Sequence, residues 1–326
     1  MSVLEVSDPP GTTCPAPAPT PPRRHRGRAA TAVAVGCALL MALHAYLPDG
    51  PGNLGSLVQT FLPWAGLAVP ALLAVALVRR CRVAAAAALL PAVVWGCLFG
   101  GVLADKGSGG GELTVVSHNV DEGNPDPART ARALAASGAD LLALQELSAA
   151  ARPVYERELA ARYPYHSVHL GVGLWSRYPL GEVAPVEIMP WTRAVRAAVR
   201  TPKGPVAVYA VHLASVRVTP AAGFTTGRRN DSARKLAAAL RSEPLPRVLV
   251  AGDFNGSTED AALRPVTSQL RSAQREAGAG FGFTWPAAFP VVRIDQILTK
   301  GLTPVSAWTL PETGSDHRPV GASLRL

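Results

Sequence analysis

Residues 248–257 read VLVAGDFNGS. Val248 to Ala251 form a short apolar run with the pattern of a buried strand, and it passes through Gly252 into Asp253-Phe254-Asn255-Gly256. Alternate residues of an extended segment share a face, so an acid and an amide two apart can enter one pocket from the end of a rigid strand. The alternative is a plain turn in which Asp and Asn bond their own backbone.

Working outward, several other strand-like runs end in the same kind of chemistry. Glu112 to Val120 (ELTVVSHNV) alternates like a strand and delivers Asn119, with Asp121 just beyond. Ala139 to Leu147 (ADLLALQEL) reads as a buried strand ending in Gln145-Glu146. Two strands near Ala194–Arg200 and Val206–Leu213 are joined at TPKGP, and the second carries His212 at its end. VVRIDQIL, residues 291–298, is a strand with Asp295 in its middle, and Gly314-Ser315-Asp316-His317-Arg318-Pro319 precedes the last strand. Singly, each acid is equally well a helix start or a surface carboxylate, and a lone histidine is commonly a core residue. Together they form a series.

Helical patterns at 127–136, 150–162 and 226–240, with a polar one at 260–276, are interleaved with these strands, and Gly171 to Leu180 suggests a hairpin and turn. Short strands alternating with helices, with both open and hairpin connections, predict one mixed α/β sandwich over residues 112–326.

The first third is different. It carries much of the excess apolarity behind a mean hydropathy of +0.17. Residues 1–28 are rich in Pro and Thr and end in RRHRGR, a disordered cytoplasmic tail by composition. Residues 29–47, 57–78 and 83–104 are predicted as three transmembrane helices; a signal peptide is the alternative for the first, and the two later runs favour an anchor. Basic clusters at RRHRGR and at Arg79-Arg80-Cys81-Arg82 would stay inside, which puts residues from about 105 onward outside the cell membrane. Residues 105–111, including KGSGGG, read as a Gly-rich linker.

All four cysteines precede residue 105, which excludes a thiol nucleophile, a disulfide framework or a thiolate-bound zinc in the C-terminal domain. The formal charge of +9 is divided: residues 1–104 hold seven Lys/Arg against three Asp/Glu, the remainder 25 against 20. The domain is therefore mildly basic, which suits a phosphate-bearing substrate and falls short of a nucleic-acid arm. Arg193, Arg196, Arg228 and Arg229 are candidate phosphate contacts, with a solvated helix face as the ordinary account of such charge.

The ordered series HNVD, LALQEL, VHLAS, GDFN, RIDQIL and SDHRP resembles the endonuclease/exonuclease/phosphatase superfamily, the group of DNase I, AP endonucleases, inositol polyphosphate 5-phosphatases and bacterial sphingomyelinases. The resemblance spans residues 112–326 and implies a four-layer α-β-β-α sandwich. It also implies a divalent ion, Mg²⁺ or Mn²⁺, held by Glu146 with Asn119 nearby and Asp316 sharing, a hard-oxygen set that suits such ions. By the same likeness Asp253 orients or deprotonates the attacking water and Asn255 holds the scissile phosphate. His317, oriented by Asp295, and His212 act on the phosphorus and its oxygens. Asp121 matches a position of varying importance. Three spans ahead of such a domain are similar to the VanJ-type membrane proteins of actinomycetes, associated with teicoplanin resistance.

The expectation is a membrane-anchored, extracytoplasmic, metal-dependent phosphoesterase acting on a lipid-linked phosphate or pyrophosphate, with the bilayer as its surroundings and no stable nucleic-acid partner. A surface nuclease and a non-catalytic scaffold are the competing readings. The first would want a stronger basic stripe with aromatic stacking positions, and the second would tolerate loss of Glu146, Asp253 or His317, all of which are present.

Overall fold

The computed structural model describes residues 27–220 and 222–326, so nearly all of the expected N-terminal tail lies outside the described residues. The strands are β1 Leu113–Asn119, β2 Leu141–Gln145, β3 Tyr165–His169, β4 Val172–Ser176, β5 Leu180–Pro185, β6 Ala194–Thr201 and β7 Gly204–His212. They continue with β8 Val218–Thr219, β9 Gly223–Phe224, β10 Val248–Asp253, β11 Arg271–Ser272, β12 Asp295–Lys300, β13 Thr303–Thr309 and β14 Val320–Arg325. One six-stranded sheet has the order β13-β14-β1-β2-β4-β3 and the other β11-β12-β10-β7-β6-β5.

Alternation along the strands explains the layering. Val206, Val208 and Ala210 of β7, Leu249 and Ala251 of β10, Leu113 and Val115 of β1, and Leu141 and Ala143 of β2 meet in one core between the sheets. Their neighbours face outward: Ala207, Tyr209, Val211, Val248 and Val250 pack on Ala233, Leu236, Ala237 and Leu240 of the helix Gly227–Arg241. Val116, Leu142 and Leu144 pack on Ala131 and Leu134 of Pro127–Ala136 and on Tyr155 and Leu159 of Arg152–Leu159. Strands buried on both faces lose the polar alternation of a one-sided sheet, which is why they read as continuous apolar runs. The layers are α-β-β-α, as the resemblance implies.

Two parallel pairings aim the chain. β1 runs parallel to β2 and β10 parallel to β7, so Asn119, Gln145, His212 and Asp253 end at one edge of the sandwich. β12 is antiparallel to β10 and starts at that edge with Asp295 paired opposite Asp253. Asp295 thus opens its strand instead of standing in its middle, because Val291 to Ile294 run as a loop that pairs with Trp285.

The N-terminal third departs from three straight spans. Arg82–Leu103 is the one helix among the described residues long and apolar enough to cross a membrane. Leu54–Thr60 and Leu62–Val78 would make a second only as a pair bent by 71°, and Arg28–Ala42 is apolar but 15 residues long. The break at Phe61 precedes Pro63, whose ring removes a backbone donor and enforces the tight 3₁₀ segment Leu62–Leu67. Gln59 also bonds away from the helix bundle, its Oε1 accepting from the Ala261 N–H at 2.7 Å. The expected Gly-rich linker lies along the sheet edge: Ser108 N–H donates to the Val305 carbonyl at 2.6 Å, and a Cβ on Gly111 would fall 1.7 Å from Ser323 Oγ.

Arg196, a candidate phosphate contact from sequence, belongs to the packing. Its guanidinium donates from Nε and Nη2 to both oxygens of Glu243 at 3.1 and 2.9 Å, and Tyr209 Oη donates to the same carboxylate at 2.6 Å. Position 196 points to the outer face, away from the edge where the strand ends gather. Burial pushes the Glu243 carboxyl up, but the bonds from Arg196, Tyr209 and the Leu245 N–H outweigh this and hold it below its ordinary value. A carboxyl depressed in the folded state stabilises above the unfolded pKa of ~4.5 and loses that contribution as pH falls through its folded value. Glu243→Ala leaves a largely buried guanidinium with only the exposed Glu182 carboxylate, at 2.9 Å from Nη1, and is expected to cost up to about 3 kcal/mol, a fall in Tm of up to about 10 °C for a domain of this size by thermal melting at pH 7. The deficit should shrink below pH 4; an unchanged Tm at neutral pH would show the pair to be energetically idle.

Candidate active site

At the common strand edge Gly252, Asp253, Phe254 and Asn255 each serve a different need. A Cβ on Gly252 would lie 1.8 Å from the Val211 carbonyl, so only glycine lets β10 approach β7 this closely. Asp253 has the inward parity of Leu249 and Ala251. Phe254 is buried in the outer core and its N–H donates to the Ile294 carbonyl at 2.9 Å. Asn255 takes a left-handed backbone (φ 47°), which turns its carboxamide back toward Asp253 instead of letting the chain run on.

Asp253 is the hub. Its Oδ2 accepts from Asn119 Nδ2 at 3.1 Å and Asn255 Nδ2 at 3.2 Å, and its Oδ1 from the Asn255 N–H at 2.8 Å. Both readings of the GDFN turn therefore hold: the aspartate bonds its own backbone and also faces a pocket. His212 Nε2 stands 3.6 Å from Asp253 Oδ2 and 3.5 Å from Glu146 Oε1. His317 Nε2 stands 3.9 Å from Asp253 Oδ2, while its Nδ1 bonds Asp295 Oδ2 at 2.9 Å.

The electrostatics follow from that packing. Burial pushes the Asp253 carboxyl up to about 7; His317 and the donated hydrogen bonds oppose this, and Asp295 adds to it. Burial disfavours a charged His317, yet the carboxylates of Asp295, Asp253 and Asp316 raise it to about 10. Asp295 is held low, burial being outweighed by His317. His212 is driven well below its ordinary value by burial and by the Arg193 guanidinium against its ring. The surroundings therefore favour the charged form of His317 and the neutral form of His212.

The remaining sequence candidates sort by distance. Asn119, His212, Asp253, Asn255, Asp295 and His317 come together, with Glu146 at the rim, held in a left-handed turn (φ 58°) directly after β2. Asp316 is 55% exposed, receives the Trp285 indole N–H at 3.1 Å and lies 3.9 Å from His317 Nε2. Asp121 spends its carboxylate on its own turn, accepting from the Gly123 N–H at 2.8 Å, and its N–H donates to Asn119 Oδ1. Arg229 is not a phosphate contact: it is fully buried and paired to Asp260 at 2.7 Å.

Sequence reasoning missed the supports. Ser315 Oγ donates to the Asn119 carbonyl at 2.7 Å and accepts from the His317 N–H at 3.0 Å, joining the two ends of the site. His118 sits buried behind it on Thr313 Oγ1 at 2.8 Å, its basicity lowered by burial to about 3. Thr284 Oγ1 accepts from the Asp295 N–H at 3.4 Å. Hydroxyls in SDH and FTW segments carry no signal of this kind until their partners are known.

Ligand atoms of Asp253, Asp295 and His317 lie within 4.8 Å of one another, a group that could hold a metal ion. Asp295 Oδ1 is buried with no hydrogen-bond partner among the described residues, and the Glu146 carboxylate, 3.5 Å from His212 Nε2, adds a hard oxygen donor at the rim. The donor chemistry fits a divalent cation of the Mg²⁺ or Mn²⁺ kind.

A buried carboxylate between two histidines, with hard oxygen donors at the edge of an α-β-β-α sandwich, is an arrangement suited to phosphoester hydrolysis. The chain belongs to the Endonuclease/Exonuclease/phosphatase family, whose pattern matches residues 116–317, more than half its length. Solved structures share the fold. D. rerio TDP2 complexed with single-strand DNA product is 20% identical with a TM-score of 0.55, over 66% of this chain and 99% of that one. The Bacteroides thetaiotaomicron mannosyl-6-phosphatase Bt3783 is 16% identical with a TM-score of 0.55, over 66% and 100%. The beta toxin 275-280 of Staphylococcus aureus is 17% identical with a TM-score of 0.52, over 65% and 99%. No curated protein matches the chain.

Proposed function

We propose that this hydrolase is held at a cell membrane with its catalytic domain outside, and cleaves a phosphodiester or pyrophosphate of a lipid-linked cell-wall intermediate, with a contribution to glycopeptide (teicoplanin) resistance as the physiological extension. The observation that supports it most is the seating of the apolar helices on the catalytic domain. Trp64 Nε1 donates to the Val291 carbonyl at 2.7 Å, Trp64 stacks on Phe283 at 5.8 Å, and Phe99 meets Phe281 at 5.6 Å. A domain so close to an apolar helix of spanning length meets phosphates at the headgroup level first.

In this reading Glu146, with Asn119 and Asp316, holds Mg²⁺ or Mn²⁺. With its Nδ1 bonded to Asp295, His317 has Nε2 turned toward Asp253 and is read here as a donor to the phosphate. A bound divalent ion neutralises phosphate charge and polarises the P–O bond. Asp253 takes the proton of the attacking water. Asn255 orients the scissile phosphate with its carboxamide, and the His317 Nε2–H and the neutral His212 donate to the phosphoryl oxygens as charge builds there.

Phosphate release by the detergent-solubilised full chain from undecaprenyl pyrophosphate, with bis-p-nitrophenyl phosphate and plasmid DNA run beside it, tests the assignment. Expected are release with Mg²⁺ or Mn²⁺ and its loss in EDTA, restored by adding the metal back. Cleavage of DNA alone would replace the lipid substrate with a nuclease activity.

A further inference from the structure

The loop and helix between the first two apolar segments, residues 47–60, are built into the catalytic domain. Asn53 Nδ2 donates to the Phe224 carbonyl at 2.6 Å, and Gly223 approaches so closely that a Cβ there would lie 2.6 Å from Gly52 Cα. On its other side, Gln59 Oε1 accepts from the Ala261 N–H at 2.7 Å and the Gln59 carbonyl from Ser257 Oγ at 3.4 Å.

Between these contacts lies a buried polar cluster. Arg229 and Ser56 are wholly buried and Asp260 nearly so. Arg229 Nη2 donates to Asp260 Oδ2 at 2.7 Å and to Ser56 Oγ at 3.2 Å. Ser56 in turn has Asp260 Oδ1 at 3.2 Å and Asp49 Oδ2 at 3.1 Å as acceptors for its single proton, and its N–H donates to Asp49 Oδ1 at 2.8 Å. The other terminal nitrogen, Arg229 Nη1, reaches the carbonyl of Asn255 at 3.4 Å. Gly256 makes room: a Cβ there would sit 2.1 Å from Nη1. Gly55 does the same for the segment, since a Cβ would lie 2.8 Å from the Leu47 carbonyl.

A buried guanidinium held by the Asp260 carboxylate, by Ser56 Oγ and, through Nε, by Asn230 Oδ1 at 2.9 Å has one orientation, and that orientation places a donor under the carbonyl of a residue in the strained left-handed region. The second anion, Asp49, acts only through Ser56, and both come from outside the catalytic domain. We propose that residues 47–60 are a positioning element of the active site: Asp49 and Ser56 lock Arg229, and Arg229 fixes the backbone turn that aims the Asn255 carboxamide. The inference rests on the role given to Asn255 above, and it makes the apolar N-terminal third a working part of the enzyme as well as an anchor.

The test is a double-mutant cycle on the full chain in detergent, with bis-p-nitrophenyl phosphate as probe. Ser56→Ala is expected to lower kcat roughly tenfold with KM little changed, and Asp49→Asn to lower it in the same direction by less. In an Asn255→Ala background neither substitution should lower kcat further, because the aimed group is already gone. Equal losses in both backgrounds, or no loss in the first, would overturn the proposal. Hydrogen exchange of the peptide spanning residues 253–262 gives a readout independent of turnover: Ser56→Ala should raise exchange there several-fold, and unchanged exchange would also overturn it. Failure of the role given to Asn255 is distinct, because Asn255→Ala alone would then leave kcat near that of the wild type while the exchange result still stood.

Discussion

Asp253→Ala lowers kcat by ~10³-fold or more on any phosphoester the enzyme accepts, with KM changed little. Four residues converge on this one carboxylate from four different segments: Asn119, Asn255 through backbone and side chain, His212 and His317. None of them can take a proton from water in its place. Asn119 and Asn255 are amides, His317 is already protonated, and burial with a neighbouring guanidinium leaves His212 a poor base. The carboxyl is pushed up to about 7 by burial, so in the metal-free protein it is protonated below that pH and cannot act as a base. The acid limb of kcat/KM therefore lies at or below pH 7, and a bound dication moves it lower by favouring the ionised form. Steady-state kinetics between pH 5 and 9 on folded variant, checked by far-UV circular dichroism, decide the matter. Residual activity within tenfold of wild type would remove Asp253 from the proton-transfer role.

The second large effect belongs to the His317–Asp295 pair. His317→Ala is expected to cost ~10²–10³-fold in kcat, the loss typical of one fixed donor aimed at developing oxyanion charge. Asp295→Asn should be milder at neutral pH and should change the pH profile instead. With Asp295 ionised, His317 stays charged up to about 10. Without that carboxylate its charge is lost toward or below the ordinary value of ~6.5, and the alkaline limb of kcat/KM moves down by units, not tenths. The same linkage carries a stability sign. A histidine whose folded pKa is raised stabilises fully below the unfolded pKa and loses that contribution as pH rises through about 10. Coincident pH profiles for wild type and Asp295→Asn would mean that His317 does not carry charge in turnover.

Much of this site was legible because strand periodicity and strand ends are local properties. Reading VLVAGD as a buried strand already places Leu249, Ala251 and Asp253 on one face, and the same parity carries β7 to His212 and β1 to Asn119. The helix over Pro127–Ala136 was equally plain, with Asp126 accepting from the Arg129 N–H and proline in the first turn. Cysteine placement and charge balance needed no coordinates at all.

What only the tertiary structure decided depends on partners distant in sequence. Asp295 looked central to its strand, yet pairing opposite Asp253 makes it the first residue, because register is set between strands and not within one. Asn255 reaches Asp253 through a left-handed turn that strand alternation does not describe. Arg196 and Arg229 read as solvated or phosphate-binding charges, since Glu243, Asp260 and Ser56 lie 31 to 173 residues away in the chain and nothing local announces them. The expected second span breaks where Pro63 follows residues that bond to the catalytic domain. Sequence by itself determined which residue types stand at the ends of which strands; the physical meeting of those ends, and the neutral or charged state each buried group takes there, came from long-range packing and the low-dielectric surroundings it creates.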